Sequence, residues 1–308
     1  MRRRLAALLL LPVLVLAACG DGGDEPDGGT SGASSLDGVT VSENLDEKPT
    51  LEFEAPLALE EAASRVVVEG DGEPVEEGQQ LQAQLVTYDG STGDEVESSW
   101  ESGEPVGFPL DPTQINETLV EGLVGTPIGS RVLIGVPAQA EGASTALVVL
   151  DLIDAKVVPT RAEGTPVDPP AGLPTVELGE DGAPTITLPE GDPPAELVVQ
   201  PLITGEGPVV EQGQTITVQD TGVTWPGGEV FDSSWENGRT AQFPIGVGQV
   251  IPGWDAGLVG QPVGSQVLLV IPPDQGYGEE GQPSAGIEGT DTLVFVVDIL
   301  DAYGGSAS

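Results

Sequence analysis

The chain has 308 residues, enough for about two domains, and carries 51 acidic against 9 basic residues, a formal charge of −42. This excess of acid disfavours binding to nucleic acid or to an anionic membrane surface. The chain contains no histidine and one cysteine, which excludes imidazole bases, disulfides and thiolate clusters. It also contains no spaced Asp/Asn loop of the Ca²⁺-binding kind, so we expect neither a metal nor a cofactor.

Residues 1–18 are predicted to be a lipoprotein signal peptide. Arginines 2–4 precede an apolar run that is too short for an ordinary membrane span. The following Leu16-Ala17-Ala18-Cys19 resembles the bacterial lipobox, which implies that Cys19 is lipidated and becomes the mature N-terminus. The alternative is ordinary secretion, in which Cys19 has no role. Because the sole cysteine stands at this place, we expect an extracytoplasmic protein attached to the membrane only through Cys19.

A flexible tether is predicted next, at residues 19–45. This stretch has no aromatic residue and no hydrophobic periodicity, as is typical of disordered segments.

The body of the chain contains two copies of one repeated sequence unit. With a shift of 135 residues, Ser98-Ser99-Trp100 matches Ser233-Ser234-Trp235, and Gly122–Gly125 matches Gly257–Gly260. The shift later becomes 147, because the first copy lacks 12 residues that the second copy has before Thr292. Two copies indicate a tandem duplication and not a solenoid.

The duplication predicts the domain boundaries. We place the first copy at residues 46–158 and the second copy at residues 183–303, followed by a tail at residues 304–308. Between the copies, residues 159–182 are rich in Pro, Gly and acid and are predicted to be a stiff linker.

Each copy is predicted to be a β-sheet with one short helix, an α+β arrangement. In the second copy five apolar or β-branched runs predict strands: Glu196–Ile203, Thr215–Thr221, Ala241–Ile245, Gln266–Ile271 and Thr292–Leu300. The helix follows Ile251, with Pro252 in its first turn and Trp254 and Leu258 on one face.

Six ordered motifs of the second copy carry a family resemblance: Gly213-Gln214-Thr215, Gly228–Ser234, Gly246–Gly260, Gly264-Ser265, Ile271–Gly278 and Thr292–Leu300. Together they resemble the FKBP family of peptidyl-prolyl cis–trans isomerases. The resemblance implies tandem FKBP-like domains, each an antiparallel β-sheet wrapped around one short helix. It also implies proline-containing client polypeptides as substrates, and a macrolide as a pocket ligand.

The resemblance implies a prolyl pocket in the second copy. Its members are Phe231, Asp232, Val250, Ile251, Trp254, Tyr277, Ile287 and Phe295. The catalytic roles fall to the Ile251 N–H and the Tyr277 hydroxyl, which hold peptide carbonyls, and to Asp232 beside the twisted carbonyl. An alternative interpretation exists for each residue considered alone: Phe231, Val250 and Phe295 would be ordinary core residues, and Asp232 would cap a turn.

Three positions depart from the family pattern. Asp220 stands where the family has a tyrosine, Ala241 where an aromatic residue lines the wall, and Gln282 where a histidine is common. Asp220 places a second carboxylate near Asp232, and two close carboxylates raise one pKa. We therefore expect a wider and more polar pocket.

The first copy lacks the pocket residues. In register, Val96, Glu97, Ile115, Asn116, Leu119 and Val148 replace Phe231, Asp232, Val250, Ile251, Trp254 and Phe295. The missing 12 residues are those that carry Tyr277 and the flap. The sequence therefore predicts prolyl isomerase activity in the second copy alone, in the service of folding at the cell envelope. The alternative is a non-catalytic peptide-binding or chaperone lipoprotein built on two such scaffolds.

Overall fold

The computed structural model describes residues 36–140, 142–225 and 227–305. The predicted signal peptide, Cys19, the first part of the tether and the last three residues of the tail lie outside the described residues. The described residues form two large antiparallel sheets, each with one short helix packed on one side, and two separate two-stranded hairpins. This confirms the predicted α+β fold class.

The first copy contains eight strands and one helix within the described residues. In chain order they are β1 (Thr40–Val41), β2 (Leu51–Glu52), β3 (Ala63–Val68), β4 (Gln80–Asp89), β5 (Glu95–Ser98), β6 (Val106–Pro109), α1 (Glu117–Leu123), β7 (Arg131–Val136) and β8 (Ala146–Lys156). The main sheet has the order β3-β7-β8-β4-β5, and β6 also pairs with β4.

The second copy repeats this order with one extra edge strand. Its elements are β9 (Gly164–Pro166), β10 (Thr175–Leu178), β11 (Pro184–Thr187), β12 (Val198–Gly205), β13 (Thr215–Trp225), β14 (Val230–Ser233), β15 (Ala241–Pro244), α2 (Pro252–Leu258), β16 (Gln266–Ile271) and β17 (Thr292–Tyr303). The sheet order is β14-β13-β17-β16-β12-β9, with β15 also paired to β13. Three short 3-10 helices lie between β16 and β17, at Pro273–Gln275, Gly278–Glu280 and Pro283–Ala285.

The observed strands differ from the predicted ones at their ends. β13 continues to Trp225 and β17 to Tyr303, beyond the predicted ends at Thr221 and Leu300. The sequence does not predict β14, because this strand of four residues begins only two residues after Gly227-Gly228 and is too short to stand out from the turn.

Each of the two large sheets buries one cluster of apolar side chains on one side and a second cluster on the other side. On the side that faces α2, here called the helix side, the core of the second copy contains Val218, Leu269 and Phe295. On the opposite or outer side, Leu268, Val270 and other residues pack beneath the β10–β11 hairpin. This alternation follows from the two-residue period of β-strands.

The outer side of each sheet is covered by a hairpin that precedes it in the chain. β1 pairs with β2 through Thr40 and Glu52, and β10 pairs with β11 through Thr175 and Thr187. Both pairs are related by the same shift of 135 residues. The repeated unit therefore begins before the hairpin, earlier than the predicted boundaries at residues 46 and 183.

Two predicted segments are corrected by these hairpins. Leu36, Val39 and Val41 are buried against the first sheet, so residues 36–45 are not a free tether. Residues 159–182 are not a simple linker, because they contain β9 and β10 and belong to the second copy. Residues 159–182 are rich in Gly, Pro and acid, and residues 36–45 directly follow a stretch rich in Gly and acid; these surroundings hid the few apolar residues that anchor both segments.

A buried polar pair also binds the segment that precedes each sheet. In the first copy, Arg131 Nε donates to Asp151 Oδ1 at 2.6 Å, and Arg131 Nη1 donates to the Ser42 carbonyl at 2.6 Å. In the second copy the corresponding Gln266 and Asp298 replace this ion pair. The backbone N–H of Ala162 donates to Asp298 Oδ2 at 2.7 Å, which attaches the incoming chain.

The two copies also contact each other directly. Tyr303, at the end of β17, lies so close over Gly107 of β6 that a Cβ there would sit 2.4 Å from the Tyr303 ring. Lys156 Nζ forms an ion pair with Asp301 Oδ1 at 2.7 Å. Burial, followed by the neighbouring Asp301, raises the pKa of the Tyr303 hydroxyl.

Neither α1 nor α2 is long and apolar enough to cross a membrane, and the part of the chain that the structure describes contains no other α-helix.

Candidate functional site

Helix α2 lies unusually close to its sheet because two of its residues are glycines. A Cβ at Gly253 would lie 2.6 Å from Ile271 Cγ2, and one at Gly257 would lie 2.6 Å from Leu269 Cδ2. This approach buries Trp254 and Leu258 on the helix side of the sheet. Pro252 begins the helix at a position where its missing N–H costs no hydrogen bond.

An aromatic cluster forms on the helix side around Trp254. Its ring centroid is 5.3 Å from that of Phe295 and 5.1 Å from that of Phe243, with interplanar angles of 84° and 79°. Phe231 adds a third T-shaped contact, 5.3 Å from Phe295. Edge-to-face pairs of this kind favour fixed ring positions.

Gly222 of β13 makes room for this cluster. A Cβ at this position would lie 2.6 Å from Phe231 Cζ and 2.8 Å from Phe295 Cε1. In the sheet Gly222 stands opposite both Asp232 and Phe295. The sequence motifs do not single out Gly222, although an isolated glycine inside a strand is a known signal of close approach.

Acidic and phenolic groups lie at the rim of the cluster. Asp232 is exposed at the end of β14, and Tyr277 is 39% exposed in the loop after β16. Burial, followed by the charge of Asp232, raises the pKa of the Tyr277 hydroxyl. A protonated phenol in this position can donate a hydrogen bond to a ligand.

Asp220 is buried nearby, with 3% of its surface exposed. Burial, followed by the charge of Asp232, raises its pKa to about 7, while a hydrogen bond with Ser234 acts in the opposite direction. The expected neighbour carboxylate is therefore present, but loss of hydration contributes more to the shift than Asp232 does.

The loop before α2 is tied to the helix by Asp255. Its Oδ1 accepts the N–H of Gly246 at 2.6 Å and its Oδ2 accepts the N–H of Gly248 at 2.8 Å. This loop leads to Val250 and Ile251, which are half-buried against the core. Among the described residues, the backbone N–H of Ile251 donates to no protein acceptor, so it is free to bind a ligand carbonyl.

The flap between β16 and β17 contributes Ile287, which is 3% exposed and packs against the same core. Gln282 pairs with it: the Gln282 N–H donates to the Ile287 carbonyl at 2.9 Å, and the Ile287 N–H donates to the Gln282 carbonyl at 3.1 Å. Gln282 thus fixes the flap through its backbone.

The structure brings the sequence-predicted residues together at one place on the second copy. Trp254, Ile287 and Phe295 are buried, Phe231, Val250 and Ile251 are half-buried, and Asp232 and Tyr277 are exposed at the rim. Ala241 is half-buried at the start of β15, and Phe243 two residues later contacts Trp254. Phe243 and Asp255 were not predicted as site residues.

The first copy has no such cluster among its described residues. Val96, which replaces Phe231, is 65% exposed, and Asn116, which replaces Ile251, accepts the Thr118 N–H as a helix cap at 2.9 Å. Thr87 occupies the position of Gly222, and the residues that the structure describes between β7 and β8 form none of the 3-10 helices of the second copy.

A shallow depression of about 570 Å³ lies beside the cluster and not on it. It is lined by the exposed flank of α2 and the preceding loop, including Gln212, Val250, Asp255 and Val259. Its apolar lining is open to solvent, and neither the aromatic rings of the cluster nor Ile251 or Tyr277 line it. We therefore assign the site to the aromatic cluster. No three His, Cys, Asp or Glu side chains converge as a metal site within the described ranges.

The fold and the cluster together define a small α+β domain with an apolar, aromatic-lined recess. The family model described as FKBP-type peptidyl-prolyl cis-trans isomerase matches residues 72–146 and 207–300. These two segments begin 135 residues apart, in agreement with the duplication. The chain belongs to the FKBP-type peptidyl-prolyl cis-trans isomerase family.

Individual relatives match about one copy of the unit. The FK506-binding protein of Streptomyces anulatus is 43% identical over 117 residues, which cover 38% of this chain and 94% of the relative. A probable FK506-binding protein of Corynebacterium glutamicum is 42% identical over 121 residues, 39% of this chain and 98% of the relative. The crystal structure of FkpA from Escherichia coli shares 32% identity, covers 44% of this chain and 54% of that chain, and has a TM-score of 0.34.

Proposed function

We propose that the second copy is a prolyl isomerase that acts on X–Pro bonds of extracytoplasmic polypeptides, and that the first copy is not catalytic. The observation that carries this proposal is the T-shaped cluster of Phe231, Trp254 and Phe295, with a free backbone donor and a phenol at its rim. The first copy lacks the three aromatic residues and the loop that carries the phenol.

The reaction breaks no bond. An X–Pro amide rotates slowly because its resonance gives a barrier of about 18–20 kcal/mol. In the twisted transition state this resonance is lost and the C–N unit is less polar. A recess that excludes water therefore favours the twisted form over the planar one.

The residues of the second copy fit these requirements in distinct roles. The aromatic rings take the proline ring, the Ile251 N–H and the Tyr277 hydroxyl hold peptide carbonyls, and Asp232 lies beside the carbonyl that rotates. Holding the flanking peptide while one bond turns converts part of the binding energy into rate.

The direct test is the isomerisation rate of a short X–Pro peptide with the full chain. We expect catalysis that falls at least tenfold, about 1.4 kcal/mol, in both Tyr277→Phe and Asp232→Ala. The matched control is Glu97→Ala, which changes the corresponding acid of the first copy and should leave the rate unchanged. An unaltered chain with no rate above background would contradict the proposal.

A non-catalytic peptide-binding or chaperone protein is the second candidate. Asp220 and Ala241 favour it, because a buried acid and a small wall residue depart from the family pattern. In that case the full chain would bind FK506 or a proline peptide and show no isomerisation.

We also propose that the protein acts in folding at the cell envelope, on the outer face of the cytoplasmic membrane, anchored by lipid on Cys19. Support comes from the basic and apolar N-terminal pattern and from the position of the only cysteine. In cells, Cys19→Ser should move the protein from the membrane fraction to the soluble fraction. A variant that stays in the membrane fraction would contradict a lipid anchor at this residue.

A further inference from the structure

Asp220 is an acid on the apolar side of a strand. Along β13, Ile216 and Val218 belong to the helix-side core, and Gly222 contacts the aromatic rings on that side. The two-residue period places Asp220 on this same side, between Val218 and Gly222. Its partner across the sheet is Val297, which is fully buried in the same core. The carboxyl group therefore forms part of the wall of the aromatic recess.

The charged groups around Asp220 are few. Asp232 of β14 acts on it electrostatically, and Ser234, the residue directly after β14, forms a hydrogen bond with it. On β17, Asp298 belongs to the buried polar pair with Gln266 and Ala162. On α2, Asp255 is occupied by two backbone N–H groups, and Tyr277 of the flap faces Asp232. The interactions that act on Asp220 include no cation.

We propose, resting on the proposed function, that Asp220 is a ligand-selecting residue of the pocket: it binds a proton together with each uncharged ligand. A ligand that covers the recess removes the remaining water from the carboxyl group. An ionised carboxyl without water or a cation is costly, so the liganded pocket favours the neutral acid.

Asp220 is expected to gain or lose its proton near neutral pH, where the protein can be studied in its folded state. Burial and Asp232 raise the pKa of Asp220 to about 7 in the free protein, so both forms are populated near neutral pH. The chain contains no histidine, whose side chain would otherwise titrate in this range. Ligand binding should raise this pKa further, and the affinity should therefore fall as the pH rises above about 7.

The test is a calorimetric titration of the full chain with FK506 between about pH 5.5 and 8.5, in buffers of different ionisation enthalpy. We expect proton uptake that approaches one per ligand near pH 8, and an affinity that falls several-fold from pH 6 to pH 8, with a limit of about tenfold per pH unit. Asp220→Asn and Asp220→Leu should abolish both effects; leucine is the residue of the first copy at this position, Leu85.

Two further variants test the cause. Asp232→Asn should move the midpoint to lower pH, because the charge of Asp232 contributes to the raised pKa of Asp220. Asp298→Asn is the matched control: burial also raises the pKa of Asp298, but this acid bonds to Gln266 and Ala162. The pH dependence should persist in this variant.

The outcomes separate the two proposals. If FK506 binds with no pH dependence and no proton uptake, the role of Asp220 is wrong and the isomerase proposal stands. Proton uptake that persists in a folded Asp220→Asn or Asp220→Leu variant also overturns the role of Asp220. If neither the unaltered chain nor Asp220→Leu binds FK506 or catalyses isomerisation at any pH, both proposals are wrong.

Discussion

Gly222 decides whether the aromatic rings of the second copy can meet. It is not in a conformation that only glycine adopts, so its role is steric. The first copy has Thr87 at this position and an exposed valine in place of the Phe231 ring. Gly222 and Phe231 therefore occur together in the second copy, because the Phe231 ring occupies the space that a side chain at residue 222 would need.

We expect Gly222→Ala to damage the pocket more than the fold. Its Cβ would overlap the Phe231 and Phe295 rings, and overpacking of this kind costs about 1–3 kcal/mol of unfolding free energy. The isomerisation rate should fall about tenfold or more, since small displacements of binding groups have effects of this size. Gly227→Ala is the control, because its nearest neighbour atom is 3.5 Å away. Equal rates in the two variants would contradict the steric role.

Asp220 should also make the stability of the protein depend on pH. Its pKa is raised from 3.8 to about 7 in the folded state, so the folded state binds more protons than the unfolded state between these values. The unfolding free energy should therefore be highest below about pH 4 as far as this residue is concerned, and should decrease up to about pH 7, by at most ~4 kcal/mol.

The check is denaturant unfolding of the full chain and of Asp220→Asn at several pH values. The difference in unfolding free energy between the two proteins isolates Asp220 from the many other acids. We expect the variant to lose this part of the slope. A difference that does not change between pH 4 and pH 7 would contradict the raised pKa.

At the scale of elements, Asp255 joins α2 to the loop that precedes it. Gly246 and Gly248, whose N–H groups it accepts, have φ values of 79° and 76°, so the loop is built on conformations that favour glycine. The helix has seven residues and no side-chain cap at Ile251. The loop and the helix therefore depend on this carboxylate for their relative position.

Asp255→Ala should loosen this loop. The half-buried N–H of Gly246 and the exposed N–H of Gly248 would lose a charged acceptor, at a cost of about 1–3 kcal/mol in unfolding free energy. The KM for an X–Pro peptide should rise, because Val250 and Ile251 directly follow the loop. Glu196→Ala removes an exposed acid of the same copy and serves as the control. An unchanged KM together with unchanged stability would show that the loop holds without Asp255.

The β1–β2 and β10–β11 hairpins belong to the copies that they cover, so each copy begins before its hairpin. Leu173, Val176 and Ile186 cover the outer side of the second sheet. A fragment of residues 160–305 retains this cover, whereas a fragment of residues 183–305 lacks β9 and β10. We expect the shorter fragment to be less stable by about 3 kcal/mol or more, since full burial of one such side chain contributes about 1.5–3 kcal/mol. Equal denaturation midpoints would contradict this boundary.

Sequence alone predicted the α+β class, the duplication and the position of α2, because these depend on long, regular signals. It did not reveal the hairpins, whose apolar residues are isolated among Gly, Pro and acid. It also missed Gly222 and Asp255, because their roles depend on contacts across the sheet and across a turn. The set of pocket residues came from family motifs, since single aromatic residues are indistinguishable from core residues.

On the scale of the whole molecule, the two copies share one scaffold and differ in the aromatic recess and the flap. The buried pair Arg131–Asp151 and the pair Gln266–Asp298 occupy equivalent places and perform the same task of attaching the incoming chain. The aromatic recess and the flap occur in the second copy only, among the residues described. Tyr303 and Lys156 join the two copies, so the first copy is a fixed neighbour of the second.

The most direct test of this account is an NMR titration of the full chain with FK506, followed through the indole N–H signals. Trp100 lies in the first copy and Trp254 in the aromatic cluster of the second. We predict saturation at one equivalent per chain, with a shift of the Trp254 signal and none of the Trp100 signal. Saturation at two equivalents, or a shift of Trp100 without one of Trp254, would contradict a single pocket in the second copy.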